Sequence, residues 1–336
     1  MENFNYEAFE LIARCTQKDL QNYLAPQLEQ IYGKDNCIIT KDYLFAKGKV
    51  PVCLVSHLDT VHKEIPSIIV SDKEKGYIWS PQGIGGDDRC GVYALISIIV
   101  DRLQASKELP SVLFTTFEEV GCIGASIASS EIPKEKYEDF KFLIEIDRKG
   151  MLDCVFYFTF NNKFEEFIES FGFIKSYGSC SDISKLSPAW DVASVNLSSG
   201  YFNAHTKEEY ISVKWLMQTI NNVIAILDSK ELETQEKFEY QPDKPNYSNY
   251  ENSYAYPNSY GNYDYEKEAY EWWNRYCKKS RNLTMQEEEE LYKELDKQDE
   301  KSIPFDTPKG NDNLDDVLNE KFGEEWKDSD FIKDCL

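Results

Sequence analysis

Apolar residues recur at helical spacing through residues 5–31, where Phe9, Leu11, Ile12, Leu20, Tyr23 and Leu24 predict one or two helices. The period then changes. Cys37-Ile38-Ile39-Thr40 and Tyr43-Leu44-Phe45-Ala46 read as a hairpin over 36–47, and Val52–Ser56 as a buried strand. A second hairpin is expected over 67–80, with Ile68-Ile69-Val70 and Tyr77-Ile78-Trp79 flanking Lys73-Glu74-Lys75-Gly76. The loop Gly83-Ile84-Gly85-Gly86-Asp87-Asp88 opens a long helix from about Arg89 to Leu103, with Val92, Leu95, Ile96, Ile99 and Leu103 on its buried face. Strands follow at Ser111–Phe117, Phe142–Ile146, Val155–Phe160 and Val192–Leu197. Helices are expected from near Gly124, over 163–171, and over Val213–Leu227.

Strands that alternate with helices imply an α/β fold, a three-layer sandwich with a mainly parallel central sheet. In such sheets ligands bind at the carboxyl ends of the strands. His57, Glu118, Glu119 and Asp147 all fall where an apolar run ends. The sheet would gather these ends although the chain separates them widely.

The pattern fades after about residue 235. Residues 240–265 hold eight tyrosines among Asn, Ser, Pro and Gly, with no apolar period. The expected organisation is a catalytic domain over 1–230 and a Tyr/Asn-rich linker over 231–265. An acidic helical segment over 266–300 and an acidic, partly disordered tail over 301–336 follow. A cut near residue 235 is expected to leave activity intact.

Charge narrows the partners. The net charge is −23, so a phosphate backbone or an anionic bilayer would be repelled. Neither nucleic acid nor membrane is expected as a partner. No apolar run approaches the ~20 residues that span a bilayer, and the N-terminus carries no basic, apolar leader pattern. The nine cysteines are odd in number, scattered, and form no CxxC pair. Free thiols in a reducing, cytoplasmic compartment are the simple reading.

Five positions have metal-ligand character: His57, Asp87, Glu119, Asp147 and His205. Imidazole and carboxylate suit zinc, and also cobalt or manganese. A carboxylate can bridge two cations through its two oxygens, and Asp87 is the central candidate. Two divalent ions against three carboxylates leave one positive charge, which a hydroxide neutralises; such a site makes its own nucleophile. Glu118 beside Glu119 is placed to move protons while its neighbour binds metal, because adjacent side chains diverge at a strand end. Asp59, two residues after His57, is placed to hydrogen-bond the imidazole and fix its tautomer. The bland readings stand alongside: a surface Glu-Glu pair, and Asp87-Asp88 as an ordinary helix N-cap.

The order of these residues carries a resemblance. His57-Leu58-Asp59-Thr60-Val61, Gly86-Asp87-Asp88-Arg89-Cys90-Gly91, Glu118-Glu119-Val120-Gly121-Cys122-Ile123-Gly124-Ala125 and Ile144-Glu145-Ile146-Asp147 resemble the successive motifs of co-catalytic zinc exopeptidases. The closest subgroup is the aminoacylase, carboxypeptidase G and peptidase T-like family. Ser181-Asp182 and the run Val195–Ile211, which contains His205, resemble its closing segment. The resemblance covers roughly residues 5–228. It implies that Asp87 bridges two metals, that His57 and Asp147 complete one site, and that Glu119 and His205 complete the other. It further implies Glu118 as the base, Asp59 as the orienting residue and a cis peptide bond between Asp87 and Asp88. Aspartate at 147 leans toward the aminopeptidase and dipeptidase branches.

Two departures matter. Arg89 stands where the family usually has lysine. Only 57 residues separate Asp147 from His205, too few for the lid domain that the family usually inserts there. A lidless variant must find other groups for the substrate carboxylate and oxyanion. Tyr201 and Asn203 are the candidates, against the plainer reading that Tyr201 only packs in its loop. Asp182 either faces the cleft or caps the following turn, and His62 reads as a surface histidine. The leading functional expectation is a two-metal aminopeptidase acting on short peptides. Deacylation of an N-acyl amino acid is the second reading. The third is a binding or scaffold protein whose C-terminal arm recruits a protein partner.

Overall fold

The computed structural model describes residues 4–242 apart from 158, 179 and 235. Two helices, α1 (Tyr6–Ala13) and α2 (Gln17–Tyr32), open the chain. Asn5 caps α1 by accepting from Glu7 N and Ala8 N, and Thr16 with Asp19 forms a capping box on α2. The hairpin β1 (Cys37–Ile39) and β2 (Tyr43–Ala46) leads into β3 (Val50–His57). A smaller hairpin, β4 (Val70–Asp72) and β5 (Tyr77–Trp79), precedes α3 (Gly86–Gln104) and β6 (Pro110–Thr115). Then come α4 (Ile123–Glu131), β7 (Phe142–Arg148), β8 (Asp153–Val155), α5 (Asn162–Glu169) and β9 (Ile174–Lys175). The chain continues through α6 (Ile183–Trp190), β10 (Ser194–Ser198), β11 (Tyr201–Phe202), β12 (Tyr210–Ser212), α7 (Val213–Leu227) and α8 (Lys230–Thr234).

Eight strands form the main sheet in the order β1-β2-β6-β3-β7-β10-β8-β9. Its centre, β6-β3-β7-β10, is parallel; β1, β2 and β8 run antiparallel to their inner neighbours. Alternation along β3 feeds two cores. Val52 and Leu54 pack on one face with α1, α2, α3, α5 and α7, while Cys53 and Val55 pack on the other with α4 and α6. Each fully buried Val or Leu contributes ~1.5–3 kcal/mol. These three layers are the expected sandwich. The described residues between Asp147 and His205 supply β8, α5, β9, α6 and β10 to this body and form no separate domain.

Several elements differ from the sequence reading. The strand expected over Val155–Phe160 ends at Val155, because β8 pairs with β10 at only two positions and Tyr157 turns away at φ +47°. The hairpin expected over 67–80 forms as β4–β5, and with β11 and β12 it makes a second sheet, ordered β11-β12-β5-β4. Leu103 on α3 is exposed, and Ile98 takes a buried place. The packed body continues past residue 230 to at least Phe238. Leu232 and Phe238 are buried, Ala193 N donates to Phe238 O, and Phe238 N donates to Lys141 O. A cut near 235 would remove the Phe238 ring from the core. The rest of the expected linker (243–265), the helical segment (266–300) and the tail (301–336) lie outside the described residues. Among the described residues no helix is long and apolar enough to cross a membrane.

Candidate active site

The apolar run of β3 buries its last residue, His57, completely. Two residues on, the Asp59 carboxylate turns back. Asp59 Oδ1 lies 3.2 Å from His57 Nδ1, and the two Asp59 oxygens accept from Glu118 N at 3.0 Å and Glu119 N at 3.1 Å. One carboxylate therefore orients the imidazole and fixes the backbone of the Glu-Glu pair. That pair follows the end of β6 at Thr115, in a turn entered through Phe117 at φ +55°. Glu118 and Glu119 diverge because of that turn, not because of strand alternation.

Asp87 and Asp88 occupy the entry to α3, joined by a cis peptide bond. Both have non-helical backbone angles. Asp88 accepts from Ser56 Oγ at 2.7 Å, from Gly91 N at 2.8 Å and from His57 N at 3.3 Å. Although Asp88 can be grouped with His57 and Asp147 as a metal cluster, its oxygens are already engaged in tying α3 to β3. Gly91 makes this closeness possible, since an added Cβ would run into the Ile146 carbonyl and the Asp88 carboxylate.

Asp87 is placed differently. Its Oδ1 faces His57 Nε2 at 3.0 Å, and its Oδ2 faces His205 Nε2 at 3.0 Å. Asp147, near the end of β7, brings Oδ1 to 3.4 Å from His57 Nε2. Glu119 Oε2 lies 3.3 Å from His205 Nε2. Glu118 Oε2 lies 4.0 Å from His57 Nε2. The seven residues singled out as ligands, base and orienting group thus converge.

The field of this cluster is strong. Burial alone would lower the His57 pKa, but Asp147, then Asp59 and Asp87, hold it well above the usual imidazole range. Burial likewise opposes charge on His205, yet Asp87 and Glu119 raise it to about 11. Burial would raise Asp87; hydrogen bonds from His205 and His57 outweigh it and hold that carboxyl well down. Asp147 is pushed up to about 8 by burial and by the Asp87 charge. Burial, with neighbouring carboxylates, raises Glu118 well above its ordinary value. Carboxylates packed this closely call for positive charge, and in the chain alone protons and imidazolium supply it.

Of the candidate substrate residues, Tyr201 is buried with its hydroxyl 2.9 Å from Asp87 Oδ2 and 2.7 Å from the Asp147 carbonyl. It braces Asp87 against the Asp147 carbonyl and does more than pack in its loop. Gly86 lets it approach, since a Cβ there would meet Tyr201 Cβ at 2.7 Å. Asn203 turns away and donates to Glu208 O from an exposed turn. Asp182 makes no capping bond to α6; it is buried and accepts from Thr115 Oγ1. His62 is no surface histidine. Its Nε2 lies 3.0 Å from Glu209 Oε2, and the fully buried Glu209 also accepts from Gly86 N at 3.1 Å.

Sequence reasoning missed Glu209, Asn196 and Glu145. Asn196 on β10 accepts from Asp147 N at 3.0 Å and so fixes that residue. Glu145 is buried on the same face of β7 as Asp147, and neither of its oxygens has a hydrogen-bond partner. A single charged residue inside the apolar run 142–146 was the available signal. Arg89 donates to the Leu58 and Cys15 carbonyls and braces the same corner.

The sequence matches no protein-family model and no curated protein. In solved structures the fold has counterparts. A tripeptidase from Staphylococcus aureus subsp. aureus Mu50 aligns with TM-score 0.53 at 15% identity, over 70% of this chain and 99% of that one. A TET aminopeptidase from a marine-sediment Thaumarchaeota archaeon aligns with TM-score 0.51 at 16% identity, over 68% of this chain and 98% of that one. At such identity the likeness is one of fold, and this chain shares its α/β architecture with both.

Proposed function

We propose that this chain is a metal-dependent exopeptidase that hydrolyses the peptide bonds of short peptides, acting as an aminopeptidase. The observation that carries the reading is Asp87, whose two oxygens each face a different histidine at 3.0 Å. His57 and Asp147 would hold one divalent ion with Asp87, and Glu119 and His205 the other. The donor set fits. It is all imidazole and carboxylate, and Glu119 Oε1 and Asp147 Oδ1 are buried without a hydrogen-bond partner. Zinc is the first choice, with cobalt or manganese compatible. When bound, the two cations supply Lewis acidity that polarises a carbonyl and acidifies water.

The chain's own residues do the rest. Glu118 is the general base. Its raised pKa suits a group that takes a proton from water and delivers it to the leaving amine. Asp59 holds His57 in one tautomer through Nδ1 and leaves Nε2 toward the site. The two fold counterparts, a tripeptidase and an aminopeptidase, favour a free amino terminus in the substrate over an N-acyl group.

The test is a panel of di- and tripeptides, each with a free and an N-acetylated amino end, offered to zinc-loaded full-length protein. Cleavage of the free series, lost on chelation and lowered ~10²–10⁴-fold in Glu118→Ala, is the expected result. Turnover of the acetylated series alone would make the chain a deacylase. No turnover of either by metal-loaded protein would leave a binding or scaffold role and end the exopeptidase reading.

A further inference from the structure

Beside the His57–Asp87–His205 cluster the fold assembles a second donor group that shares only Glu118 with the proposed reaction. Cys122 enters α4 from the turn that carries Glu118, and Cys180 lies just before α6. Cys122 Sγ is 3.8 Å from Cys180 Sγ and 3.5 Å from Glu118 Oε1. Donor atoms of Glu118, Cys122 and Asp182 all lie within 4.8 Å of one another. Asp182 is fully buried, and its Oδ1 has no hydrogen-bond partner. Cys180 is only half-buried, which gives a cation a way in.

The two separations that Cys122 makes suit a tetrahedral cation site. Zinc–sulfur bonds of about 2.3 Å and zinc–oxygen bonds of about 2.0 Å imply edges of about 3.8 Å between sulfurs and about 3.5 Å between sulfur and oxygen. The two measured separations, 3.8 and 3.5 Å, have these lengths. A disulfide would need the sulfurs to close to about 2.05 Å.

We propose that Cys122, Cys180, Glu118 and Asp182 form a sulfur-containing site for a thiophilic divalent cation, and that filling it withdraws Glu118 from proton transfer. The second half rests on the role of Glu118 given above; the first does not. Binding replaces the two thiol protons, which pass to solvent, and nothing is oxidised or reduced. Excess zinc would then inhibit the enzyme that needs zinc.

The test titrates metal-free, phosphine-reduced full-length protein with Co²⁺ and follows near-ultraviolet sulfur-to-cobalt charge transfer, which imidazole and carboxylate ligands do not give. The band is expected in the wild type and in His57→Ala, and absent in Cys122→Ser and Cys180→Ser, with thermal melts showing that each variant is folded. The zinc concentration that inhibits should rise at least about tenfold in Cys180→Ser. No band in reduced wild type, or a band kept by both cysteine variants, overturns the site. So does a Cys122–Cys180 disulfide formed with a small disulfide reagent in protein that shows no band. A band without any peptidase activity would sink the exopeptidase reading and leave the cation site standing.

Discussion

The two histidines that face Asp87 stand in opposite surroundings. The His57 side chain is 0% exposed at the end of a central parallel strand; the His205 side chain is 50% exposed, at φ +63°, between two short strands. The deep half of the site is therefore part of the main core. The shallow half hangs on the small sheet and is braced to the deep one by Tyr201. Both halves are needed for the proposed chemistry, but only the deep one should matter much to folding. Two histidines given equal roles in the proposal are thus unequal in what they cost the fold to disturb.

The largest expected effect tests that inequality directly. His57→Ala should lower the stability of metal-free protein by about 3 kcal/mol, because it leaves Asp87 and Asp147 buried without their cation. His205→Ala should cost about 1 kcal/mol or less, since the His205 side chain is itself half in solvent and water can take its place beside Asp87 and Glu119. Chemical denaturation reads both, and equal losses would erase the distinction.

Next in size is Glu145, which probes the floor of the deep half. Burial, then Asp147, Asp182 and Glu118, push its pKa well above the usual carboxylate range. A raised folded pKa means that the native state keeps a proton which the unfolded chain releases. Stability is then lost as pH rises from the unfolded value through the folded one. Glu145→Gln removes that loss and should gain about 2 kcal/mol at about pH 8 in metal-free protein, and little at about pH 4. A gain that is the same at both would show that no proton is held there.

The smallest effect sharpens the link between the halves. Tyr201→Phe keeps the ring and removes the hydroxyl, at a cost of about 1 kcal/mol in thermal melts. Hydrogen exchange should rise in β11 and β12 and stay unchanged in β3 and β7. Loosening of both regions would place Tyr201 in the deep half instead.

The same division explains what was legible in the sequence. His57, Glu118, Glu119 and Asp147 each follow an apolar run, and parallel strands gather such ends without further information. Asp87 was legible from the glycine loop that opens α3. His205 was found by resemblance to a known motif series, not by local pattern. The brace behind it was not legible. Glu209 sits in a charged stretch with Lys207 and Glu208, and its partners, His62 and the Gly86 amide, lie more than a hundred residues away. The small sheet likewise depends on β5 meeting β12, which no local period encodes. The helix α6 was missed because Pro188 and two serines hide a short apolar face of Ile183, Leu186 and Trp190. Phe238 was missed because it is a single apolar residue in a polar segment, and one residue makes no period.

Phe238 also decides how the molecule can be held. It bonds to Lys141 and Ala193, just ahead of β7 and β10, and Phe160 N donates to Gln241 O on the same side. Those are the amino ends of the parallel strands, whereas the histidines and carboxylates gather at the carboxyl ends. The chain leaves its described body at the pole opposite the site. An anchor placed after Gln241, on a bead or a sensor surface, would present every molecule with its cleft turned toward the solution.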